Sequence, residues 1–250
     1  MKFYVLTLFP EMFGGVLGSS ILGRARQEGL LSVELVDPRQ FCGDPHKTVD
    51  DYPYGGGPGM VMKPEPVYLA LEWVEKDLGR RPYVVLMTPQ GRKFDAGLAK
   101  DLAARGDVCL VAGHYEGFDE RIRAAADQEV SIGDFVLTGG EIPAMAVLDA
   151  VSRMIPGVLG DEVSAQSDSF ADGLLEGPQY TRPPLFRGMG VPEVLLQGDH
   201  AAVSRWKRKE ALRRTLSRRP EMLEVARLTF EDRRYLQEVI NEEAAVVAKE

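Results

Sequence analysis

The feature that most constrains the fold is an alternation of short apolar runs with stretches of helical periodicity. The runs are rich in β-branched and aromatic residues and read KFYVLTL, VELVD, YVVLMT and VCLVA. Apolar residues at helical spacing lie between them, from Glu65 to Leu78 and from Asp95 to Ala104. Strands that alternate with helices favour an α/β fold, a parallel sheet with helices on both faces.

The pattern changes in the last third of the chain. Pro143 to Ile155 predicts one more helix, which begins at a first-turn proline and stops before a Pro-Gly pair. Beyond an acidic stretch only helical patterns remain, and Thr229-Phe230-Glu231-Asp232 predicts a capping box before a last helix. The sequence therefore predicts an α/β domain over residues 1–160, a flexible acidic linker over 161–176 and a small all-α domain over 177–250.

Composition and the few cysteines exclude several classes of protein. With 250 residues, 44% of them hydrophobic and 27% charged, the chain has the composition of an ordinary globular protein. No apolar run reaches the ~18 residues that a membrane span needs, and no signal-peptide cleavage site follows Met1, so we expect a cytoplasmic protein without a membrane partner. Two cysteines and three histidines lie far apart, so neither a disulfide framework nor a zinc site is expected.

Three glycine-rich stretches are candidates for ligand loops. Ser131 to Glu141 lacks both the dinucleotide and the Walker phosphate-binding patterns, and on the residues alone a buried strand between two turns is favoured over a ligand loop. Asp50 to Met60 holds so many glycines and prolines that ordering it is costly, which favours a functional loop. Ala112 to Arg121 directly follows the run VCLVA, at the end of a predicted parallel strand, where α/β sheets place their ligands.

These stretches, together with several others, carry a resemblance to a known family. The motifs are DDYPYGGGPGM, TPQGRKFD, GHYEGFDER, SIGDFVLTGGE, SRMIPGVLG and DSFADGLLEGPQYTRP. In this order over most of the chain, they resemble the bacterial tRNA (guanine-N1)-methyltransferases, which are knotted, SPOUT-type enzymes that use S-adenosylmethionine. The resemblance implies a trefoil knot in the C-terminal part of the α/β domain, a homodimer with its active site at the subunit interface, and tRNA as the substrate.

The resemblance also implies a set of residues around the cofactor. S-adenosylmethionine carries no phosphate, so its site needs apolar walls and backbone hydrogen-bond donors that no side chain covers. Glu116 is a candidate partner for the positively charged methionine end of the cofactor. On the residues alone, Glu116 could instead be a solvated acid. The implied cofactor-binding residues are Leu86, Pro89, Gly113, Glu116, Ile132, Gly133, Asp134, Phe135, Val136, Leu137, Gly139, Gly140 and Pro143.

Two further residues are implied as catalytic. Asp168 matches the family's aspartate, which removes the proton from N1 of guanine, and Arg153 matches an arginine that stabilises the negative charge growing on O6. Composition alone would make Asp168 a solvated linker charge, and helical spacing would pair Arg153 with Asp149. The family also depends on magnesium; the carboxylates of Asp168 and Glu116 are candidate anchors, although no spacing in the sequence designates a metal site.

The implied tRNA contacts lie in a basic segment and around the target base. The net charge is −8, yet Ala201 to Arg219 carries eight basic residues against one acid. By resemblance the target is the guanine directly 3′ of the tRNA anticodon, which must leave its stack before N1 can be reached. His114 stands where related sequences often have arginine, so its role is left open. We predict tRNA contacts for Asp50, Gly59, Tyr115, Arg205, Arg208, Arg213 and Arg214.

Three other functions stay open on the sequence. A noncatalytic RNA-binding protein would keep the basic segment without needing Asp168. A knotted ribose 2′-O-methyltransferase would share the cofactor pocket but modify a hydroxyl group. An NAD-dependent α/β enzyme is the weakest alternative, because the dinucleotide fingerprint is absent.

Overall fold

The computed structural model describes residues 1–160 and 168–247, and the chain divides into two compact units. The first unit is Met1–Glu162 and the second is Val163–Glu250. Residues 161–167, which belong to the predicted linker, lie outside the described residues. Within the described part of the chain, no helix is both long enough and apolar enough to cross a membrane.

The first unit is built on a five-stranded sheet in which every strand pairing is parallel. Its strands, in the spatial order β2-β1-β6-β5-β7, are β1 (Lys2–Leu6), β2 (Ser32–Val36), β5 (Tyr83–Lys93), β6 (Val108–Ala112) and β7 (Gln128–Ser131). A short antiparallel pair lies in the connection between β2 and β5 and consists of β3 (Asp50–Asp51) and β4 (Val61–Met62). The four predicted strands and the parallel sheet are confirmed.

Helices cover both faces of this sheet. They are α1 (Gly14–Gly18), α2 (Ser20–Gln27), α3 (Pro64–Leu78), α4 (Ala96–Arg105), α5 (Glu120–Arg123) and α6 (Glu141–Ser152), with 3-10 turns at Pro10–Phe13 and Pro38–Phe41. Because successive strand residues point to opposite faces, Leu110 packs in the cluster that holds residues of α4 and α6, and Val111 packs in the cluster that holds residues of α3. Two apolar cores, one on each face, therefore sandwich the sheet.

The helix predicted over Pro143 to Ile155 is present with different bounds. α6 begins at Glu141 and ends at Ser152. The amides of Met154 and Ile155 bond to carbonyls three residues earlier, which is a turn rather than α-helix. The first-turn proline was therefore a good indicator of the helix but not of its first residue.

The second unit is mainly helical but also contains a hairpin. Its elements are β8 (Leu185–Phe186), β9 (Met189–Gly190), a 3-10 turn at Glu193–Leu195, α7 (His200–Arg218), α8 (Glu221–Val225) and α9 (Phe230–Val247). The hairpin departs from the predicted all-α domain, because strands of two residues are too short to show a periodic pattern. The predicted capping box is confirmed, since the Thr229 hydroxyl accepts from the Asp232 amide at 3.1 Å and the Asp232 carboxylate accepts from the Thr229 amide at 2.9 Å.

Residues 168–176, which composition assigned to a linker, pack on the helices of the second unit. Leu174 is only 2% exposed and forms a core with Leu212 and Tyr235. The Leu175 amide donates to the Thr215 hydroxyl of α7 at 2.9 Å. Although its composition is acidic, this segment is therefore held on the second unit by the buried Leu174 side chain and by the Leu175 hydrogen bond to α7.

Candidate active site

A cavity of about 480 Å³ lies beside the middle of β5 and the carboxyl ends of β6 and β7. Its walls are residues 87–90 within β5, residues 113–118 directly after β6, and residues 130–133 and 135–140 at the end of β7 and in the loop that follows it. Glu120, Arg123 and Pro143 complete the lining. Because neighbouring parallel strands end at the same edge of a sheet, segments far apart in sequence converge here. The sheet order, with β5 between β6 and β7, brings the three segments side by side.

Most residues predicted to bind the cofactor line this cavity. They are Pro89, Gly113, Glu116, Ile132, Gly133, Phe135, Val136, Leu137, Gly139, Gly140 and Pro143. Two predicted residues do not line it. Leu86 is 1% exposed and belongs to the core around α3, while the Asp134 side chain is 94% exposed and lies 3.5 Å from the Lys93 ammonium.

The preference for a buried strand over Ser131 to Glu141 is wrong. The strand β7 ends at Ser131, and the following residues form an irregular loop. In this loop the apolar side chains of Phe135 and Val136 are 54% and 80% exposed. The apolar run therefore forms part of the cavity wall instead of a strand.

Gly140 is required for a close approach of two backbone segments. Its amide donates to the Gly113 carbonyl at 2.7 Å, which ties the loop before α6 to the end of β6. A Cβ at Gly140 would lie 2.7 Å from the Gly113 nitrogen and 2.8 Å from the Ala112 Cα. Both neighbours are backbone atoms, so a side chain could be accommodated only if the cavity changed shape.

The glycine-rich loop from Asp50 to Met60 lies against the loop after β6. The Glu116 amide donates to the Met60 carbonyl at 2.9 Å, and the Met62 amide donates to the Gly117 carbonyl at 2.9 Å. Gly59 is so close to Glu116 that a Cβ would lie 2.3 Å from the Glu116 Oε1 atom. These contacts bring two of the three glycine-rich stretches together beside the cavity.

Asp50 and Tyr115, both predicted to contact the substrate, are neighbours. Burial, followed by the nearby carboxylate of Asp50, raises the pKa of the Tyr115 phenol. Arg39 also interacts with Tyr115, and its guanidinium stacks 5.5 Å from the centroid of the Phe9 ring. Sequence reasoning missed Arg39 and Phe9, because neither lies in a glycine-rich motif.

A buried hydrogen-bond chain adjoins the cavity and was also missed. Glu141, 1% exposed, accepts from the Thr7 hydroxyl at 2.8 Å, and its other oxygen lies 2.9 Å from the His114 Nε2 atom. The His114 ring packs on Phe9 with centroids 4.7 Å apart. The only sequence signal for Glu141 was an acid directly after the Gly139-Gly140 pair, where a helix N-terminus favours negative charge.

The two residues implied as catalytic belong to different units. Arg153 follows α6 in the first unit, and its amide donates to the Asp149 carbonyl at 3.2 Å. Asp168 belongs to the second unit, where it lines a cavity of about 300 Å³ together with Asp172, Glu176 and Arg208.

Most of the predicted tRNA-binding arginines of α7 are engaged within the second unit. Arg208 donates to Asp232 and Asp172, and its hydrogen bonds to Asp232 come first among the causes that raise the pKa of its guanidinium. Arg213 bonds to Glu242 at 2.6 Å, and Arg214 donates to the carbonyls of Glu176 and Gly177 at 3.0 and 3.1 Å. Arg205 is exposed. Apart from Glu210, which pairs with Arg213, the acids that bind these arginines lie far away in sequence, so the charge run alone could not reveal the pairing.

Metal ligands do not cluster in the part of the chain that the structure describes. Within residues 1–160 and 168–247, no group of three or more histidine, cysteine or acidic side chains could hold a metal ion. The described residues therefore designate no magnesium site.

Comparison with known proteins gives one family and many close relatives. Residues 1–225 match the family model described as tRNA (Guanine-1)-methyltransferase TrmD. A curated tRNA (guanine-N(1)-)-methyltransferase of Moorella thermoacetica is 54% identical over 245 residues, which cover 97% of this chain and 98% of that protein. The protein of the same name from Desulforudis audaxviator is 57% identical over 232 residues, 93% of each chain. The similarity thus extends over both units.

Proposed function

The chain belongs to the tRNA (guanine-1)-methyltransferase family, and we infer that it transfers a methyl group to N1 of a guanine in tRNA. We propose that the target is the guanine at position 37, directly 3′ of the anticodon, and that S-adenosylmethionine is the methyl donor. The observation that carries the proposal is the glycine-rich cavity beside the middle of β5 and the carboxyl ends of β6 and β7. Eleven of the thirteen implied cofactor residues line it.

The residues around the cavity fit S-adenosylmethionine. The donor has an adenosine, a sulfonium and a methionine end but no phosphate, so it needs apolar walls, backbone donors and a carboxylate. Phe135, Val136 and Leu137 supply apolar surface, the glycines leave backbone groups within reach, and Glu116 supplies a negative charge. Among the described residues the cavity lining contains no lysine, and its arginine, Arg123, forms ion pairs with Glu120 and Glu129.

We assign the proton transfer to Asp168 and charge stabilisation to Arg153. N1 of guanine carries a proton, and its lone pair becomes a good nucleophile only as that proton leaves. The Asp168 carboxylate accepts the proton, and the Arg153 guanidinium stabilises the negative charge that develops on O6. When bound, the cofactor supplies a methyl group that its sulfonium has already activated. The remaining contribution of the protein is alignment of the nucleophile with that methyl group.

The guanine site is proposed beside the cofactor cavity, where Asp50, Gly59 and Tyr115 meet. The hydrogen bonds between the loops after β3 and β6 support this placement, since they fix the two loops against each other. The carboxylate of Asp50 and the phenol of Tyr115 can bond to the edge of a base. The base has to be flipped out of its stack to reach them.

We propose that the chain is knotted, that it acts as a homodimer with the active site at the subunit interface, and that it works in the cytoplasm, where its tRNA substrate is used. The apolar side chains exposed on the first unit support a dimer, because a second copy would remove them from water. They include Phe135, Val136, Ile142 and Met154, which are 54%, 80%, 49% and 39% exposed.

No step is assigned to magnesium.

The proposal is tested with labelled methyl donor and two tRNA transcripts, one with guanine and one with adenine at position 37. We expect label to enter only the guanine transcript, and digestion followed by mass spectrometry to give 1-methylguanosine. Methylation of a ribose hydroxyl would instead support the alternative ribose 2′-O-methyltransferase. Label in the adenine transcript would show that guanine 37 is not the target. Donor binding without any methyl transfer would favour a noncatalytic RNA-binding protein.

A further inference from the structure

The residues that carry Asp168 form part of the folded surface of the second unit. We call residues 168–177 the Asp168 segment. Its Leu174 is 2% exposed in the core with Leu212 and Tyr235, and its Leu175 amide donates to the Thr215 hydroxyl at 2.9 Å. Thr215 is itself fully buried. The segment is therefore anchored on α7 by one apolar side chain and one buried backbone hydrogen bond.

Internal hydrogen bonds connect these anchors to Asp168 itself. The Ala171 amide donates to the Asp168 carbonyl at 3.2 Å, and the Phe170 amide donates to the Leu174 carbonyl at 2.8 Å. The Glu176 amide donates to the Ser169 hydroxyl at 3.0 Å. A shift of the anchors on α7 would therefore displace the backbone of Asp168.

Arg208 of α7 bridges this segment to α9. Its Nε and one terminal nitrogen bond to the two oxygens of Asp232 at 2.6 and 2.9 Å, and its other terminal nitrogen bonds to Asp172. The second oxygen of Asp172 accepts from the Leu174 amide at 3.3 Å. One guanidinium thus joins the buried Asp232, in the first turn of α9, to the turn that holds Leu174 in the core.

The α9 end of this bridge is fixed. Asp232 is 3% exposed, and its carboxylate also caps the helix through the Thr229 amide. A bidentate pair with a planar guanidinium fixes the orientation of the arginine as well as its distance. The nitrogen that faces Asp172 therefore has one preferred position.

We propose that Arg208 is a positioning residue, whose bridge from Asp232 to Asp172 holds the Asp168 segment against α7 and so sets the place of the catalytic carboxylate. This inference rests on the proposed function, since it takes Asp168 as the base. It replaces the prediction that Arg208 contacts tRNA phosphate, because a phosphate would have to compete with two carboxylates that already bind the guanidinium. An error of ~1 Å in the placement of a reacting group can slow an enzyme about a hundredfold.

Asp172→Asn is the first test, because it removes the charge pair but leaves an oxygen that can accept from the Leu174 amide. The Asp172 side chain is 50% exposed, so this change should cost little stability. We expect kcat to fall by about tenfold or more, with the KM for tRNA and the Kd for S-adenosylmethionine unchanged. If Arg208 and Asp172 only formed part of a tRNA-binding face, loss of an acid would leave kcat intact and tighten tRNA binding.

Glu238→Gln is the matched control for Asp172→Asn. Glu238 is a 46% exposed acid that bonds to Lys209 of α7 at 2.9 Å, but it lies on α9 and not in the Asp168 segment. Both variants lose one negative charge and one ion pair with α7. We expect kcat to fall in Asp172→Asn only; an equal fall in both variants would assign the effect to general charge or stability and overturn the proposal.

Arg208→Lys separates positioning from phosphate binding. Lysine keeps the positive charge but cannot reproduce the planar bidentate pair with Asp232 while reaching Asp172. We expect a fall in kcat like that of Asp172→Asn, an unchanged salt dependence of tRNA binding, and faster hydrogen exchange of the amides from Phe170 to Glu176. Normal kcat in Arg208→Lys, or a loss confined to the KM for tRNA, would overturn the proposal.

Failure of the inference and failure of the proposed function are distinguishable in the same assay. A wild-type protein that does not methylate tRNA would overturn the proposed function itself. A wild-type protein that is active, beside an Asp172→Asn variant with normal kcat, would overturn only the role of Arg208.

Discussion

The imidazole Nε2 of His114 lies 2.9 Å from one carboxylate oxygen of Glu141, whose other oxygen accepts a hydrogen bond from the Thr7 hydroxyl at 2.8 Å. Glu141 begins α6, His114 follows β6 and Thr7 follows β1, so this one buried side chain fixes three elements at the carboxyl edge of the sheet. A buried carboxylate is tolerated only where hydrogen bonds satisfy it. The same contact places the His114 ring beside the proposed cofactor cavity.

Removal of the Glu141 carboxylate should destabilise the first unit. We expect Glu141→Ala to lower the free energy of unfolding by about 3 kcal/mol, because the fully buried Thr7 hydroxyl loses the acceptor of its proton and a cavity is left. Glu141→Gln keeps the volume and an acceptor oxygen, so it should cost about 1 kcal/mol. Urea unfolding at one fixed protein concentration measures both values. Equal losses in the two variants would contradict the role given to the hydrogen bonds.

A side chain at position 140 should impair donor binding. We expect Gly140→Ala to weaken S-adenosylmethionine binding at least about tenfold, because the new Cβ forces the backbone at Gly113 and Ala112 to move. Gly15→Ala is the matched control, since nothing lies within 4 Å of a Cβ there and alanine favours the helix α1. Calorimetry with the donor measures both variants. Wild-type affinity in Gly140→Ala would show that the loop before α6 does not shape the donor site.

Much of the fold and part of the site could be predicted from the sequence, because both depend on local patterns. Apolar runs predicted four of the five strands of the sheet, and the glycines of Ala112 to Arg121, directly after one of these runs, indicated one segment of the cavity wall. The contact of His114 with Glu141 joins residues 27 apart and that of Thr7 with Glu141 joins residues 134 apart, so no local pattern could reveal them. The acidic composition of residues 168–176 predicted a linker for the same reason, since the partners of Leu174 and Asp172 lie on distant helices.

Loss of the Asp168 carboxylate should stop turnover without affecting donor binding. In Asp168→Asn the amide oxygen cannot accept the N1 proton at neutral pH, so we expect kcat to fall at least about a hundredfold. The donor cavity is lined by residues of the first unit, so the Kd for S-adenosylmethionine should not change. Single-turnover methylation and calorimetry on one preparation give both numbers. Near-normal methylation by Asp168→Asn would show that Asp168 is not the general base.

Exposure of the α7 cations should decide which of them contact tRNA phosphates. Arg205 is exposed, whereas Arg213 bonds to Glu242 at 2.6 Å and to Glu210 at 3.2 Å. Each phosphate contact contributes about 0.7–0.9 to the slope of log affinity against log salt concentration. We therefore expect Arg205→Gln to flatten the slope by about that amount and Arg213→Gln to leave it nearly unchanged. Equal salt slopes in Arg205→Gln and the wild-type protein would show that Arg205 does not contact a tRNA phosphate. The exposed face of α7 would then be a solvated surface only.

The ion pair between Arg208 and Asp232 should make the second unit sensitive to acid. Hydrogen bonds from Arg208, and further bonds to Thr229, lower the pKa of the Asp232 carboxyl from 3.8 to about 2. Because the folded-state pKa lies below that of the unfolded chain, the ionised carboxylate stabilises the fold above about pH 4, and this contribution is lost as the pH falls through about 2. A shift of this size corresponds to about 2 kcal/mol. Unfolding free energies measured between about pH 5 and 2 should therefore fall less steeply for Asp232→Asn than for the wild-type protein. If the unfolding free energies of Asp232→Asn and the wild-type protein fell equally steeply with pH, another carboxylate would control the acid transition. The ion pair of Asp232 with Arg208 would then not make the fold sensitive to acid.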